Sequence, residues 1–153
     1  MAFPVNDPFV CRGNGPQVVP FHIQGEDEMT RDIVETDSAP ISPFYSQAVR
    51  AAGLLFVSGQ VGQDPSTGKL VGPTVREQTR QCLKNVKAIL EAAGSSMENI
   101  VTATFILRNP DDFSEMNDEW NTWFHENPPA RQGASLPVEV EGLLVSIAVI
   151  AQE

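Results

Sequence analysis

From Gly53 onward the chain alternates between short apolar runs and apolar residues at helical spacing, and these two periods divide it into elements. Residues 54–61, Leu-Leu-Phe-Val-Ser-Gly-Gln-Val, form a compact run rich in β-forming residues and predict a buried strand. Asp64-Pro65-Ser66-Thr67-Gly68 has the chemistry of a tight turn. Thr74-Val75-Arg76-Glu77 predicts a capping box, in which hydroxyl and carboxylate each satisfy an orphan backbone amide. Behind it Val75, Cys82, Leu83, Val86, Ile89, Leu90 and Ala93 recur at helical spacing, and Gly94 is placed to close the helix. Residues 100–107 predict a second strand with Val101, Ala103, Phe105 and Leu107 on one face. Asn109-Pro110 predicts the start of a second helix, with Asn as cap and Pro in the first position. Phe113, Met116, Trp120, Trp123 and Phe124 fall along one side of it, which reads as an aromatic core stripe. Asn127-Pro128-Pro129 ends that helix, and two strands follow at 131–139 and 143–151 around a turn at Glu141-Gly142.

Residues 1–38 differ. Four prolines, three glycines and Glu26-Asp27-Glu28 break any sustained apolar period, so they predict a loose or wrapping extension with a short strand at 17–23. Residues 39–153 then form one domain, its compact part beginning between Ile33 and Ser42. Two strand–helix units followed by two strands suggest an α+β sandwich with both helices on one sheet face. Val145, Ile147, Val149 and Ala151 alternate with Leu144, Ser146, Ala148 and Ile150, so the last strand is nearly apolar on both faces. Such a strand is expected to be buried on both faces. Two helices cover one face, so self-association is expected to cover the other.

Charge changes the picture at one residue. With 20 acidic and 10 basic residues the formal net charge is −10, which disfavours a nucleic-acid partner and gives no attraction to an anionic membrane. No apolar run approaches the roughly 20 residues of a membrane span, and the first residues lack a secretory pattern. A cytoplasmic protein is expected, with an organelle left open. Cys11 and Cys82 make no disulfide framework, Cys82 reads as a packing residue, and His22 and His125 lack any zinc-ligand pattern. Against this acidic background Arg131 emerges from a rigid Pro128-Pro129 turn into a strand. A guanidinium held that way is either half of a structural ion pair or a receptor for a planar anion such as a carboxylate.

Several segments together resemble one family. Pro43-Phe44-Tyr45-Ser46-Gln47-Ala48-Val49, Leu55-Phe56-Val57-Ser58-Gly59-Gln60 and Asp64-Pro65-Ser66-Thr67-Gly68-Lys69-Leu70 look like the RidA/YjgF reactive-intermediate deaminases. Gln78-Thr79-Arg80-Gln81-Cys82-Leu83-Lys84-Asn85-Val86 and Pro129-Ala130-Arg131 extend the match in order, over roughly residues 39–151. The resemblance implies a chorismate-mutase-like α+β fold, a homotrimer whose sheets pack into a barrel, and clefts between subunits. It implies hydrolysis of 2-aminoacrylate-type enamines and imines to 2-oxo acids and ammonia, with no metal or organic cofactor. By position, Arg131 matches the family's carboxylate-binding arginine and Tyr45 an aromatic wall or hydroxyl donor. Ser58 and Gly59 match the segment bordering the pocket, Asn117 matches a polar helix position, and Gln132 and Gly133 follow the arginine.

The last strand departs from the family's pattern. Counting without gaps from Arg131 puts Ser146 where the family carries an acidic residue that holds or activates water, and Gly133 where it carries a Cys or small residue. A serine can hold a water but cannot take its proton at neutral pH. Glu139 and Glu141 lie nearby in sequence and would serve only in another register. Three readings stay open: an imine or enamine hydrolase using Arg131, Tyr45 and Ser146; a non-catalytic trimer that binds small carboxylates or regulates a partner; and a different outcome, cyclisation or isomerisation, in the same cleft.

Overall fold

The computed structural model describes residues 31–136 and 140–153; residues 1–30, with the strand expected at 17–23, and residues 137–139, with Glu139, lie outside the described residues. The chain runs β1 (Asp32–Val34), β2 (Ala48–Ala51), β3 (Leu54–Val61), α1 (Val75–Ala92), β4 (Ile100–Leu107), α2 (Phe113–Trp123), β5 (Ala130–Ser135) and β6 (Val145–Gln152). These strands form one mixed sheet in the order β1-β2-β3-β6-β4-β5. β6 pairs antiparallel with both β3 and β4, so it lies between two strands that run parallel to each other. β4 and β5 pair in parallel, which requires a crossover, and α2 supplies it.

The helices α1 and α2 pack against each other, and α1 lies on β3 and β6. Leu55 and Val57, Ala103, Phe105 and Leu107, and Val145, Ile147, Val149 and Ala151 point from the sheet into this layer. Cys82, Leu83, Val86, Ile89 and Leu90 meet them from α1. The expected capping box is present: Glu77 N donates to Thr74 Oγ1 at 3.2 Å and Thr74 N to Glu77 Oε2 at 3.1 Å. Gly94, with φ +82°, follows the C-cap Ala93. Cys82 is fully buried and donates to Val145 O at 3.8 Å, and burial drives its thiol pKa far upward, as expected of a packing residue.

The structure corrects several expectations. β1 and β2 are strands that residue pattern did not reveal, because each is three or four residues long and pairing, not periodicity, defines it. Pro110 opens a single 3₁₀ turn, with Asn109 Oδ1 accepting from Asp111 N, and the α-helix begins only at Phe113. The aromatic stripe is not uniformly core: Met116, Trp120 and Phe124 are buried, whereas Phe113 is 43% exposed. A register shift between Ile100 and Thr102 turns Val101 to the surface and leaves Ile100 in the core. β5 ends at Ser135 rather than continuing to 139, and β6 starts at Val145 and reaches Gln152.

Within one chain the last strand is fully buried on its helix-side face and half-buried on the other. Ser146, Ala148 and Ile150 are half-buried on the face away from the helices, beside Thr102, Thr104 and Ile106 and an outward Phe56 that is 42% exposed. Among the described residues no helix lies on this open face. No described helix is long and apolar enough to cross a membrane.

One ion pair locks the helices to each other. Glu119 on α2 is 2% exposed and accepts from Arg80 Nε at 2.9 Å, Arg80 Nη2 at 2.7 Å and Trp123 Nε1 at 3.2 Å. Burial pushes the Glu119 pKa up, but the Arg80 and Trp123 hydrogen bonds and the Arg80 charge outweigh it, holding the carboxyl below the ordinary 4.5. Folding thus favours the ionised form, a contribution complete above the ordinary value and lost as pH falls through the folded value. Arg80 is half exposed and can rehydrate, so Glu119→Gln should cost only about 1–2 kcal/mol at pH 7 in urea unfolding. Below pH 4.5 the wild-type midpoint should fall more steeply than that of Glu119→Gln; parallel slopes would show that Glu119 is not ionised in the fold.

Candidate active site

The predicted site residues fall into two groups in one chain. Arg131, at the start of the edge strand β5, pairs in register with Ala103 and therefore shares the helix-side face. Its guanidinium lies 5.1 Å from the Phe105 ring centroid, 5.0 Å from Trp120 and 5.9 Å from Phe113. Asn117 on α2 holds it: Arg131 Nη2 donates to Asn117 Oδ1 at 2.6 Å. Nη1 is buried and has no hydrogen-bond partner among the described residues. No carboxylate of a described residue pairs with it, so the structural ion pair left open by sequence is absent among them. Desolvation lowers the Arg131 pKa, yet an arginine stays charged at neutral pH even so.

Such a cation is favourable over ring faces but still lacks the acceptors it had in water. The structure thus carries a desolvated donor with no acceptor among the described residues. Gly133, two residues along and on the same face, lies against the tip of the Phe105 ring; a Cβ there would meet Cζ and come within 2.6 Å of Cε2. Glycine is favoured here for space and not for backbone angle.

The second group lies three strands away. Ser58 Oγ donates to Ser46 O at 2.7 Å and Ser58 N to Gln47 O at 2.9 Å, tying the Tyr45 turn to β3. Tyr45 is 56% exposed and lines a hollow of about 610 Å³ with Arg31, Glu35, Phe44, Ser46 and Ser58. The sheet register slips between Val57 and Gln60, so Ser58 and Gly59 sit in a bulge. A Cβ at Gly59 would lie 2.8 Å from Ser146 Oγ, which places the serine hydroxyl against the bulge. Ser146 is on the open face and Arg131 on the helix face, so one chain does not bring the two together. Gln132 also faces the open side; its amide donates to Thr104 Oγ1 at 3.1 Å above a hollow of about 330 Å³ that includes Ser58, Phe56 and Ile150.

Sequence reasoning did not single out Gln47 or Gln60. Buried Gln47 accepts from Thr36 N at 2.7 Å and donates to Thr36 O, Ala39 O and Pro40 O, fixing the segment before Tyr45. Gln60 Nε2 donates to Ser58 O at 3.1 Å and spans the bulge. A buried amide is the signal, since such a group must find partners, but burial is invisible in one sequence. No group of described residues is suited to hold a metal.

With this geometry in place, comparison with known proteins is decisive. The model of the endoribonuclease L-PSP family matches residues 36–153. The chain belongs to that family, the RidA/YjgF proteins. A RutC family protein of Pyrococcus horikoshii is 40% identical over 123 residues, covering 79% of this chain and 97% of the relative. The 2-iminobutanoate/2-iminopropanoate deaminase of Rattus norvegicus is 42% identical over 123 residues, covering 75% and 90%. The crystal structure of E. coli TdcF with bound serine superposes with a TM-score of 0.73 at 32% identity, covering 80% of this chain and 98% of that one.

The Phe105–Gly133 contact gives a direct check of the arginine's surroundings. Gly133→Ala should destabilise the fold by about 1–3 kcal/mol through overpacking. Adding Phe105→Val should recover part of that loss in a urea-unfolding double-mutant cycle. Strict additivity would show that the ring tip does not abut the glycine.

Proposed function

We propose that the protein hydrolyses 2-imino acids and their enamine tautomers to 2-oxo acids and ammonia, at a cleft completed by a second copy of the chain. The observation that carries this reading is Arg131 Nη1, a buried donor with no partner among the described residues, beside an Nη2 already held by Asn117. A substrate carboxylate would satisfy it and receive the planar, charge-assisted recognition a guanidinium gives best. The deaminase name of the rat relative and the serine bound in the E. coli structure support a carboxylate-bearing nitrogen compound. RNA is a poor fit, because a chain of net charge −10 repels a phosphate backbone.

Hydrolysis needs water at the imine carbon and protonation at nitrogen, with no metal or organic cofactor in this scheme. The iminium carbon is already electrophilic, so holding both reactants in line supplies much of the acceleration. Tyr45, Ser58, Gly59 and Ser146 would form the opposite wall from a neighbouring subunit, with Gln132 and Gly133 bordering the arginine's side. Ser146 would hold the attacking water without taking its proton, which leaves the substrate's own carboxylate or nitrogen as the nearest base. Closing the open sheet face, where Phe56 lies outward beside Ile150, gives the hydrophobic reason for assembly, and a homotrimer is the expected form. Ser146 in place of an acid also favours a second reading, a trimeric carboxylate binder without turnover.

Imines generated in situ by an amino-acid oxidase, with semicarbazide as competing trap, test the reaction through the rate of oxo-acid release. Wild type should outpace buffer, and Arg131→Ala should lose roughly 10²–10³-fold in kcat/KM. Wild type no faster than buffer while 2-oxo acids still bind would establish the binder instead. Sedimentation of a monomer at micromolar concentration would defeat the shared cleft.

A further inference from the structure

Beside the arginine lies a cavity that the hydrolysis of small imino acids does not require. It has a volume of about 440 Å³ and is lined by Phe105, Leu107, Pro110, Phe113, Gly133, Ala134 and Ser135, apolar but for the serine. That volume lies within the range of small-ligand sites, and the hollow is broad and open to solvent, so in one chain it cups a ligand from one side. Phe105 and Phe113 belong to both places: their rings flank the Arg131 guanidinium and also wall this cavity. The two rings sit 5.7 Å apart, tilted by 39°, and present an aromatic floor that runs from the cation into the hollow.

The size relation at Gly133 creates that floor. Any side chain there would meet the tip of the Phe105 ring, so the glycine leaves room for that ring to reach across from β4 to β5. Phe113 explains itself in the same way. It belongs by sequence to the helix's apolar stripe yet is 43% exposed, and its ring serves the cavity rather than the core. Leaving a large aromatic half in water forgoes burial energy unless something apolar comes to rest on it.

We infer that this cavity is a side-chain subsite, and that the protein selects 2-imino acids bearing bulky apolar side chains, branched aliphatic or aromatic, over alanine- or 2-aminobutyrate-derived ones. The inference rests on the deaminase reading and on the carboxylate sitting at Arg131 Nη1. With the carboxylate there, C2 lies at the mouth of the cavity and its side chain runs over Phe105 and Phe113. The reaction itself is unchanged. Water oxygen bonds to C2, the C–N bond breaks, and ammonia leaves with the protons that water and the imine supply. The subsite acts through differential binding of the side chain, the means by which a hydrophobic pocket discriminates homologues.

A series of imines derived from alanine, 2-aminobutyrate, leucine, methionine and phenylalanine tests this with the wild-type assembly. The value of kcat/KM should rise roughly threefold or more per buried methylene, placing the leucine-derived imine at least tenfold above the alanine-derived one. Activity that is flat or falls with size overturns the subsite while leaving the deaminase reading intact. If no imine is turned over, calorimetry with 4-methyl-2-oxopentanoate and pyruvate decides the subsite alone. Tighter binding of the larger oxo acid supports it; equal affinities, or no binding of either, overturn it. Phe113→Ala, at a half-exposed position where folding is least at risk, should reduce the leucine-to-alanine selectivity ratio at least fivefold. An unchanged ratio in a folded variant would also overturn it.

Discussion

The site depends on a guanidinium taken out of water with only part of its hydrogen-bonding capacity met. Arg131 exchanges hydration for the faces of Phe105, Trp120 and Phe113 and for one amide oxygen, Asn117 Oδ1. That arrangement is tolerable only if each neighbour is held. Asn117 and Trp120 are carried by α2, and α2 is fixed to α1 by the two-pronged Arg80–Glu119 pair and the Trp123 indole on the same carboxylate. Phe105 is held by the sheet, with room made by Gly133. An ion pair with its carboxylate buried between the helices thus helps set the geometry of a cation that itself has no ion-pair partner among the described residues.

The sheet distributes the remaining chemistry over two surfaces. Its helix-side face carries Arg131 and Gly133, and its open face carries Ser146 and Gln132. The bulge at Ser58–Gly59 sits between Tyr45 and Ser146; Ser58 N donates to the Gln47 carbonyl, Ser58 O accepts from the Gln60 amide, and the Ser58 hydroxyl donates to the Ser46 carbonyl. Each group is held by its own hydrogen bonds, and one chain does not bring the two together. The uncovered apolar face and the uncompleted cleft therefore raise the same requirement, met in our proposal by a second copy of the chain.

Much of the fold was legible because it rests on local chemistry. The Thr74–Glu77 capping box, the spacing from Val75 to Leu90 and Gly94 beyond the helix specified α1 without reference to anything distant. The run at 54–61 specified β3 for the same reason. β1 and β2 escaped notice because three or four residues carry no period; only their partners make them strands. Phe113 was grouped with the core by its spacing, but spacing gives a direction around a helix and says nothing of whether protein lies there. Arg131 stood out by charge contrast and by its rigid Pro-Pro approach, while the choice between ion pair and receptor needed the list of its neighbours.

The sequence by itself determined the helices, the central strands, the family resemblance and the identity of the cation on which a binding site could be built. These follow from short-range propensity, periodicity and residue order, all of which are written along the chain. Only the tertiary structure decided that Arg131 is bonded to Asn117 through one nitrogen and has a second, buried nitrogen with no partner among the described residues, and that Ser146 faces away from it. Those facts depend on strand register and on which layer lies behind each strand. A one-residue slip reverses every side chain's face without altering the pattern's period, so they are settled by packing between distant segments.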